Sequence, residues 1–332
     1  MPHIVPDITL DVIAIGNAIV DVMAPCEDAD IERLGLQKGG MTLVDTERAE
    51  ALYAAMGPAR EISGGSAANT LAGLAALGAK CAFIGQVADD QLGAVFAHDI
   101  RAAGVEFATP AIDEALSTAR CLIFVSPCGQ RTMNTYLGAS QILPSRAVTG
   151  AHIASARVLY LEGYLWDPLE PRAAMRGAIA AARVVGREVA LSLSDAFVIA
   201  RHGDDFRGLI VDGHIDILFA NESELAAMTG TEDFEEGFAS LAQHVPVLVV
   251  TRGPHGAVAQ ARGERAEVAA APVERVVDTT GAGDLFAAGF LSGHVRGLPL
   301  AECLRRGAVC AAEIISHYGA RPEADLAALV AG

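Results

Sequence analysis

The chain has 332 residues, 52% of them hydrophobic, and a formal net charge of −17. That length fits one large α/β domain with an accessory piece or two ordinary domains, with ample material for a core. The acidic balance excludes nucleic acid and anionic membranes as expected partners, because both require a basic surface, though a local pocket can still take an anionic ligand.

Taken in chain order, short β-rich runs alternate with Ala-rich helical runs. Residues 11–15 read as a strand. Residues 67–77 read as a helix stopped by Gly78, and 81–87 as the next strand. A helix over 91–103 ends at Gly104. Strand 158–161, helix 171–185, strand 189–193, strand 217–220, helix 235–244 and strand 247–251 follow. Residues 257–267 read as a surface hairpin around Arg262-Gly263-Glu264. Two last helices are expected near 284–295 and 301–317. Strands alternating with helices imply right-handed βαβ units and a mostly parallel sheet covered on both faces. Two regions break the rhythm. Residues 24–46 hold Gly39-Gly40 and few helical signals, and 105–137 are rich in β-branched residues around a Pro127–Gly129 turn. The expectation is a single domain with a small β-sheet lid drawn from about 17–50 and 105–140. An exposed lid edge could pair with a second copy, so a monomer and a lid-mediated homodimer both stay open.

The six cysteines form no C-x-x-C pair, and neither they nor the nine histidines show metal-ligand spacing. They read as small core hydrophobes and as ordinary surface or core groups. No basic segment leads into a long apolar one at the N-terminus, and Arg176 and Arg183 interrupt the Ala-rich stretch 172–187. A soluble, cytoplasmic protein is expected.

The sharpest chemical signal is Asp278-Thr279-Thr280-Gly281-Ala282-Gly283-Asp284 ahead of an apolar helix. Small residues before a helix free successive backbone N–H groups, which with the helix dipole make an anion site suited to a phosphate in flight. Asp284 stands beside it, where a carboxylate can take a proton from an attacking hydroxyl. The same string also reads as a plain helix cap, with Thr279 or Thr280 capping and Asp284 favouring the dipole. Asn221 and Glu224 follow a strand, at the edge where α/β ligands bind, and suit water-mediated Mg²⁺. They also read as an N-cap with an acid in the first turn. No Walker loop occurs, and Gly281-x-Gly283 lacks the third glycine of a dinucleotide fingerprint.

Residues 278–290, DTTGAGDLFAAGF, resemble the C-terminal signature of the ribokinase-like (PfkB) family of carbohydrate and nucleoside kinases. Gly64-Gly65-Ser66-Ala67-Ala68-Asn69 resembles its N-terminal signature, and Gly16-Asn17 with Asp21 its substrate-binding turn. Asn221-Glu222-Ser223-Glu224 resembles its N-x-x-E motif, and Thr251-Arg252-Gly253 with Gly256 its nucleotide loop. The resemblance spans nearly the whole chain. It implies the ribokinase-like three-layer α/β sandwich and an ATP- and Mg²⁺-dependent kinase. Asp284 is then the general base, and the amides of Gly281, Ala282 and Gly283 form the anion hole. Asn17, Asp21, Gly64, Gly65 and Asn69 would hold the acceptor hydroxyls. Thr251, Arg252, Gly253, Gly256, Ala308 and Ala312 would line the ATP site. K⁺ is implied near Asp278 and Thr280.

The lid segment Arg131-Thr132-Met133 with Thr135–Ala139 resembles that of adenosine and related nucleoside kinases, as does Gly16-Asn17 before Asp21. Arg131 would then meet the transferred phosphoryl group. Met133, Tyr136, Tyr164 and Trp166 could form a purine slot. The implied reaction is phosphorylation of the adenosine 5′-hydroxyl by ATP. Alternatives are a sugar kinase acting on ribose, fructose or a keto-sugar acid, and a non-catalytic binding relative.

Overall fold

The computed structural model describes residues 7–113 and 116–332, so residues 114 and 115 of the expected lid and the first six residues lie outside it. Two sheets organise the chain. The large one joins β1 (Leu10–Ile15), β5 (Cys81–Ile84), β6 (Val105–Phe107), β9 (Ala156–Glu162), β10 (Glu188–Ser192), β11 (Ile217–Asn221), β12 (Val247–Thr251), β13 (Ala257–Ala261) and β14 (Glu264–Val268). The small one joins β2 (Ile19–Pro25), β3 (Met41–Leu43), β4 (Arg60–Gly64), β7 (Ala119–Val125) and β8 (Arg131–Tyr136). The helices are α1 (Asp28–Arg33), α2 (Thr46–Ala55), α3 (Ser66–Ala76), α4 (Gln91–Ala102), α5 (Gly150–Ala154) and α6 (Leu169–Val184). After them come α7 (Ala196–Val211), α8 (Glu222–Thr229), α9 (Phe234–Ala242), α10 (Ala282–His294), α11 (Leu300–Ile314) and α12 (Leu326–Ala331).

The large sheet runs β14-β13-β12-β11-β10-β9-β1-β5-β6. It is parallel from β12 to β6, and β13 and β14 add antiparallel. Its parallel strands are apolar at most positions because both faces are buried, whereas the edge strand β14 is charged and largely exposed. Alternate residues serve opposite cores. Val12 and Ala14 of β1 face a cluster with Leu71, Leu285, Phe290 and Leu304, whereas Ile13 and Ile15 face Met175, Ile179, Phe206 and Leu209. The order reverses at β1, which lies between β9 and β5. A crevice opens at such a reversal beyond the strands' carboxyl ends, and ligands of open α/β sheets bind there. Asn17 leaves β1 and Glu162 ends β9 at that crevice.

The small sheet runs β3-β8-β7-β2-β4. Its composition departs from the expected lid in two places. Val105–Phe107 belongs to the large sheet: β6 pairs with β5, and Phe107 packs against Phe83 and Phe96. Arg60–Gly64 joins the small sheet instead, pairing antiparallel with β2. The stretch 24–46 also contains a helix, α1, closed by a reciprocal cap between Glu27 and Asp30. Helices α2 and α7, absent from the sequence reading, each start at an aspartate whose side chain accepts a backbone N–H, Asp45 and Asp195. The β13–β14 turn places Arg262 and Gly263 at positive φ, the geometry a two-residue hairpin needs. Cysteines 81, 303 and 310 pack in the core, while Cys128 is exposed on the β7–β8 turn.

Candidate active site

The small sheet presents one face to the crevice, and its register fixes which residues line it. Asp21 pairs with Cys121, and Cys121 with Thr135. Two residues along, Met23, Ile123 and Met133 form the next row, and Arg131 belongs to the same face. Arg131 reaches across to the loop before α10, where its Nη1 lies 2.8 Å from Asp278 Oδ2 with both side chains buried. Tyr318 lies under the same guanidinium.

Residues of opposite parity point away. Tyr136 packs beneath Arg120 and receives a hydrogen bond from Thr46 Oγ1 on α2. It is therefore not a crevice residue, which corrects the expectation for it. Trp166 is also removed from the proposed slot: its ring is fully buried against Phe206 and its indole N–H donates to Asp205. Tyr164 is exposed, on the turn that follows β9.

On the core side, the helix carrying Asp284 starts from a glycine turn. Gly281 caps α10 at φ 78°, the left-handed region that glycine tolerates. The Ala282 N–H is used internally, donating to the Thr279 carbonyl. Ala282 is thus no anion-hole donor in this conformation, which trims the expected set. The amides of Gly281, Gly283 and Asp284 have no partner among the described residues. They point where a helix N-terminus favours negative charge.

Asp284 sits three residues into that helix. Ser66 Oγ donates to its Oδ1 at 2.6 Å and Asn69 Nδ2 to its Oδ2 at 2.9 Å. Both donors come from α3, so the Gly64–Asn69 motif and the Gly281–Asp284 motif, far apart in the chain, share one hydrogen-bonded cluster. Burial pushes the Asp284 carboxyl above its ordinary range, and the bonds from Ser66 and Asn69 together with the charge of Arg321 oppose this. Asp21 is raised to about 6, first by burial, with Arg321 and Arg131 pulling the other way. No group among the described residues donates a hydrogen bond to it. Its carboxylate lies over Gly64, where a Cβ would stand 2.6 Å from Oδ2. Gly65, at φ 95°, sets its Cα against the Asn17 carbonyl, where any Cβ would collide.

Glu162 and Arg321, to which the sequence reading gave no role, join the same cluster of polar groups. Glu162 is fully buried and accepts from Asn17 N at 2.7 Å, Asn17 Nδ2 at 2.6 Å and Ala67 N at 2.8 Å. Ser140 Oγ donates to Asn17 Oδ1 at 2.8 Å. Burial raises the Glu162 carboxyl to about 7 despite those bonds. Arg321, from the segment after α11, donates to Asn69 Oδ1 and to Ser63 Oγ.

The register also brings Asn221 beside Thr251 at the ends of β11 and β12. Asn221 and Glu224 make a reciprocal capping box: Asn221 Oδ1 accepts from Glu224 N, and Glu224 accepts from Asn221 N and Nδ2. Glu224 is nonetheless buried and raised to about 7, by burial and then by the nearby Asp195, and no cationic side chain among the described residues offsets that rise. A hydrated divalent cation fits that deficit, because its charge would offset a buried carboxylate through bound waters. Thr251, Arg252, Gly253 and Gly256 form the turn between β12 and β13, and Arg252 pairs with Glu222 while stacking on Phe234. Ala308 is buried on α11 where it packs on β13, and Ala312 is partly exposed one turn on. The K⁺ expectation loses its basis: Asp278 accepts from Thr280 N, Thr280 Oγ1 and Gly319 N, and the Arg131 cation already faces it.

The pfkB family carbohydrate kinase model matches residues 44–326. The adenosine kinase of Sinorhizobium meliloti has a similar structure, with 48% sequence identity and a TM-score of 0.89, covering 96% of this chain and 98% of that one. A probable sugar kinase from Rhizobium etli matches at 45% identity and a TM-score of 0.89, covering 96% and 97%. The Klebsiella pneumoniae fructokinase is 30% identical over 77% of this chain and 87% of its own length. With the acid, the glycine turn and the facing sheet in one crevice, the chain belongs to the pfkB family of carbohydrate kinases and is an ATP-dependent phosphotransferase.

Proposed function

We propose that this kinase phosphorylates the 5′-hydroxyl of adenosine, converting ATP and adenosine to ADP and AMP. The observation that carries the reading is the row Met23–Ile123–Met133 beside Asp21 on the crevice face of the small sheet. Three apolar residues on the same face as a carboxylate with free lone pairs suit a base and a vicinal diol on one molecule. Tyr164 is exposed on the turn that follows β9 of the large sheet. The adenosine kinase at 48% identity supports the same choice.

In this reading Asp21, Gly65 and Asn69 grip the ribose, and Asp284 takes the 5′-hydroxyl proton as that oxygen attacks the γ-phosphorus of ATP. The bond from γ-phosphorus to the β–γ bridging oxygen breaks, and ADP leaves. The unpartnered amides of Gly283 and Asp284 receive the negative charge that builds on the phosphoryl oxygens. Mg²⁺ would supply charge neutralisation for the phosphates, with Glu224 and Asn221 as the residues that hold its water shell. Thr251 to Gly256 and α11 line the side where ATP lies. The lack of any helix long and apolar enough to cross a membrane among the described residues fits a cytoplasmic enzyme.

A sugar kinase is the second reading, favoured by the Rhizobium etli and Klebsiella pneumoniae relatives. The test is an ADP-release screen of purine nucleosides, ribose, fructose and keto-sugar acids at equal concentration. Adenosine should lead in kcat/KM by at least about a hundredfold, since a sugar leaves the apolar row without a partner. Equal or better turnover of a free sugar defeats the nucleoside assignment.

A further inference from the structure

Between Asp284 and the C-terminal segment stands a single amide. Asn69 Nδ2 donates to Asp284 Oδ2 at 2.9 Å, and Asn69 Oδ1 accepts from Arg321 Nη1. The sense of this relay is fixed by chemistry. A guanidinium can only donate and an ionised carboxylate can only accept, so the amide between them has one orientation that satisfies both. Arg321 Nη2 donates to Ser63 Oγ at 3.0 Å, which anchors the fork on β4 as well. We propose that Arg321 is a positioning residue for phosphoryl transfer: it turns Asn69 onto Asp284 and, by its charge, keeps that base ionised.

The proposal rests on the assignment of Asp284 as base. Three further observations carry it. The guanidinium is held in the crevice by a fastened segment: Gly319 N donates to Asp278 Oδ2, and the Glu323 and Ala324 amides donate to Glu313 Oε1 at 2.8 and 2.9 Å. Arg321 is also the cation available to this carboxylate. The other crevice cation, Arg131, is spent on Asp278. The other titratable groups around Asp284 are Asp21, Glu162, Tyr160 and Tyr164, none of which carries a positive charge. Arg321 itself faces Asp21, Asp284 and Asp99. Arg321 is thus the charge that opposes the desolvation of Asp284, beside the hydrogen bonds from Ser66 and Asn69.

The test compares Arg321→Gln, Arg321→Lys and Asp284→Asn, using full-length enzyme and the best acceptor from the nucleoside and sugar screen. The readout is kcat at saturating substrates from pH 5 to 9, because kcat reports groups in the bound complex. Gln keeps a donor for Asn69 but removes the charge. The acid limb should move up by about one pH unit, so that kcat falls about tenfold at pH values below both limbs and by less at pH 7. Lys restores charge without the fork, so the limb should return while kcat stays partly reduced. An R321Q limb that coincides with wild type, with both proteins melting alike, overturns the proposal. So does an R321K limb that stays with R321Q. If Asp284→Asn keeps near-normal turnover, it is the base assignment that has failed, independently of Arg321. Should R321Q not fold, an R321K limb displaced like that of an uncharged variant would equally overturn the charge argument, and a wild-type limb would uphold it.

Discussion

Arg131 and Asp278 join the small sheet to the large α/β layer through a buried ion pair. The guanidinium comes from β8 of the small sheet, the carboxylate from the loop before α10, and the contact is 2.8 Å with 5% and 7% of the side chains exposed. A pair this deep is costly to break from one side, because the partner is left charged and desolvated. Arg131→Met should lower stability by about 3 kcal/mol or more in equilibrium urea unfolding. The double variant with Asp278→Asn should recover part of that loss, since neither charge is then stranded. A single-variant loss under about 1 kcal/mol would show that the pair contributes little beyond a surface bridge.

Asp284 carries the base assignment. Replacing it with Asn keeps the shape and the donors Ser66 and Asn69 nearby but removes the proton acceptor. Turnover should drop by about a hundred- to ten-thousandfold while acceptor affinity changes little. Rapid-quench turnover together with calorimetric binding checks both halves. A large loss of affinity at preserved turnover would reverse the roles.

The anion turn and its acid were legible in residues 278–284 because that chemistry is local: glycines, a helix start and an acid within one turn. The parallel sheet was legible for a similar reason, since strands buried on both faces read as unbroken apolar runs. What escaped depends on distance and parity. The contact from Arg321 to Asn69 spans 252 residues, and nothing in Gly319-Ala320-Arg321-Pro322 marks it beforehand. Tyr136 sits in the expected strand but one residue out of phase with Arg131 and Met133, so it faces α2. Glu162 lies two residues before Tyr164 of the expected purine slot, yet its carboxylate is turned inward to hold Asn17 and the start of α3. For Asn221 and Glu224 the two open readings share one geometry. The cap is formed, and the buried acid within it still lacks a counter-charge.

Gly65 tests the close approach on which the acceptor side depends. Its φ of 95° and its contact with the Asn17 carbonyl leave no room for a Cβ. Gly65→Ala should cost about 1–3 kcal/mol in backbone strain and push Asn17 off its bonds to Glu162. KM for the acceptor should rise more than KM for ATP, because the displacement falls on the acceptor half. Equal rises in both would place the damage in the fold as a whole.

Glu162 makes stability depend on pH in a specific direction. Its carboxyl is raised to about 7 by burial, against an ordinary value of 4.5 that the unfolded chain retains. Between those two values the folded state holds a proton that the unfolded state has released, so this group's contribution to stability falls as pH rises through the window. Other carboxylates act oppositely, among them Asp167 and Glu188, which are held low by Arg201 and His294. The wild-type curve alone therefore does not isolate Glu162. Glu162→Gln removes the titration while leaving one oxygen to accept from Asn17, though its amide then opposes the Ala67 N–H. The variant should be least stable relative to wild type near pH 4.5 and gain on it steadily up to about pH 7. Urea midpoints measured side by side at half-unit intervals read this directly: a stability difference that stays flat across the window would mean that Glu162 ionises normally, and that its hydrogen bonds outweigh its burial.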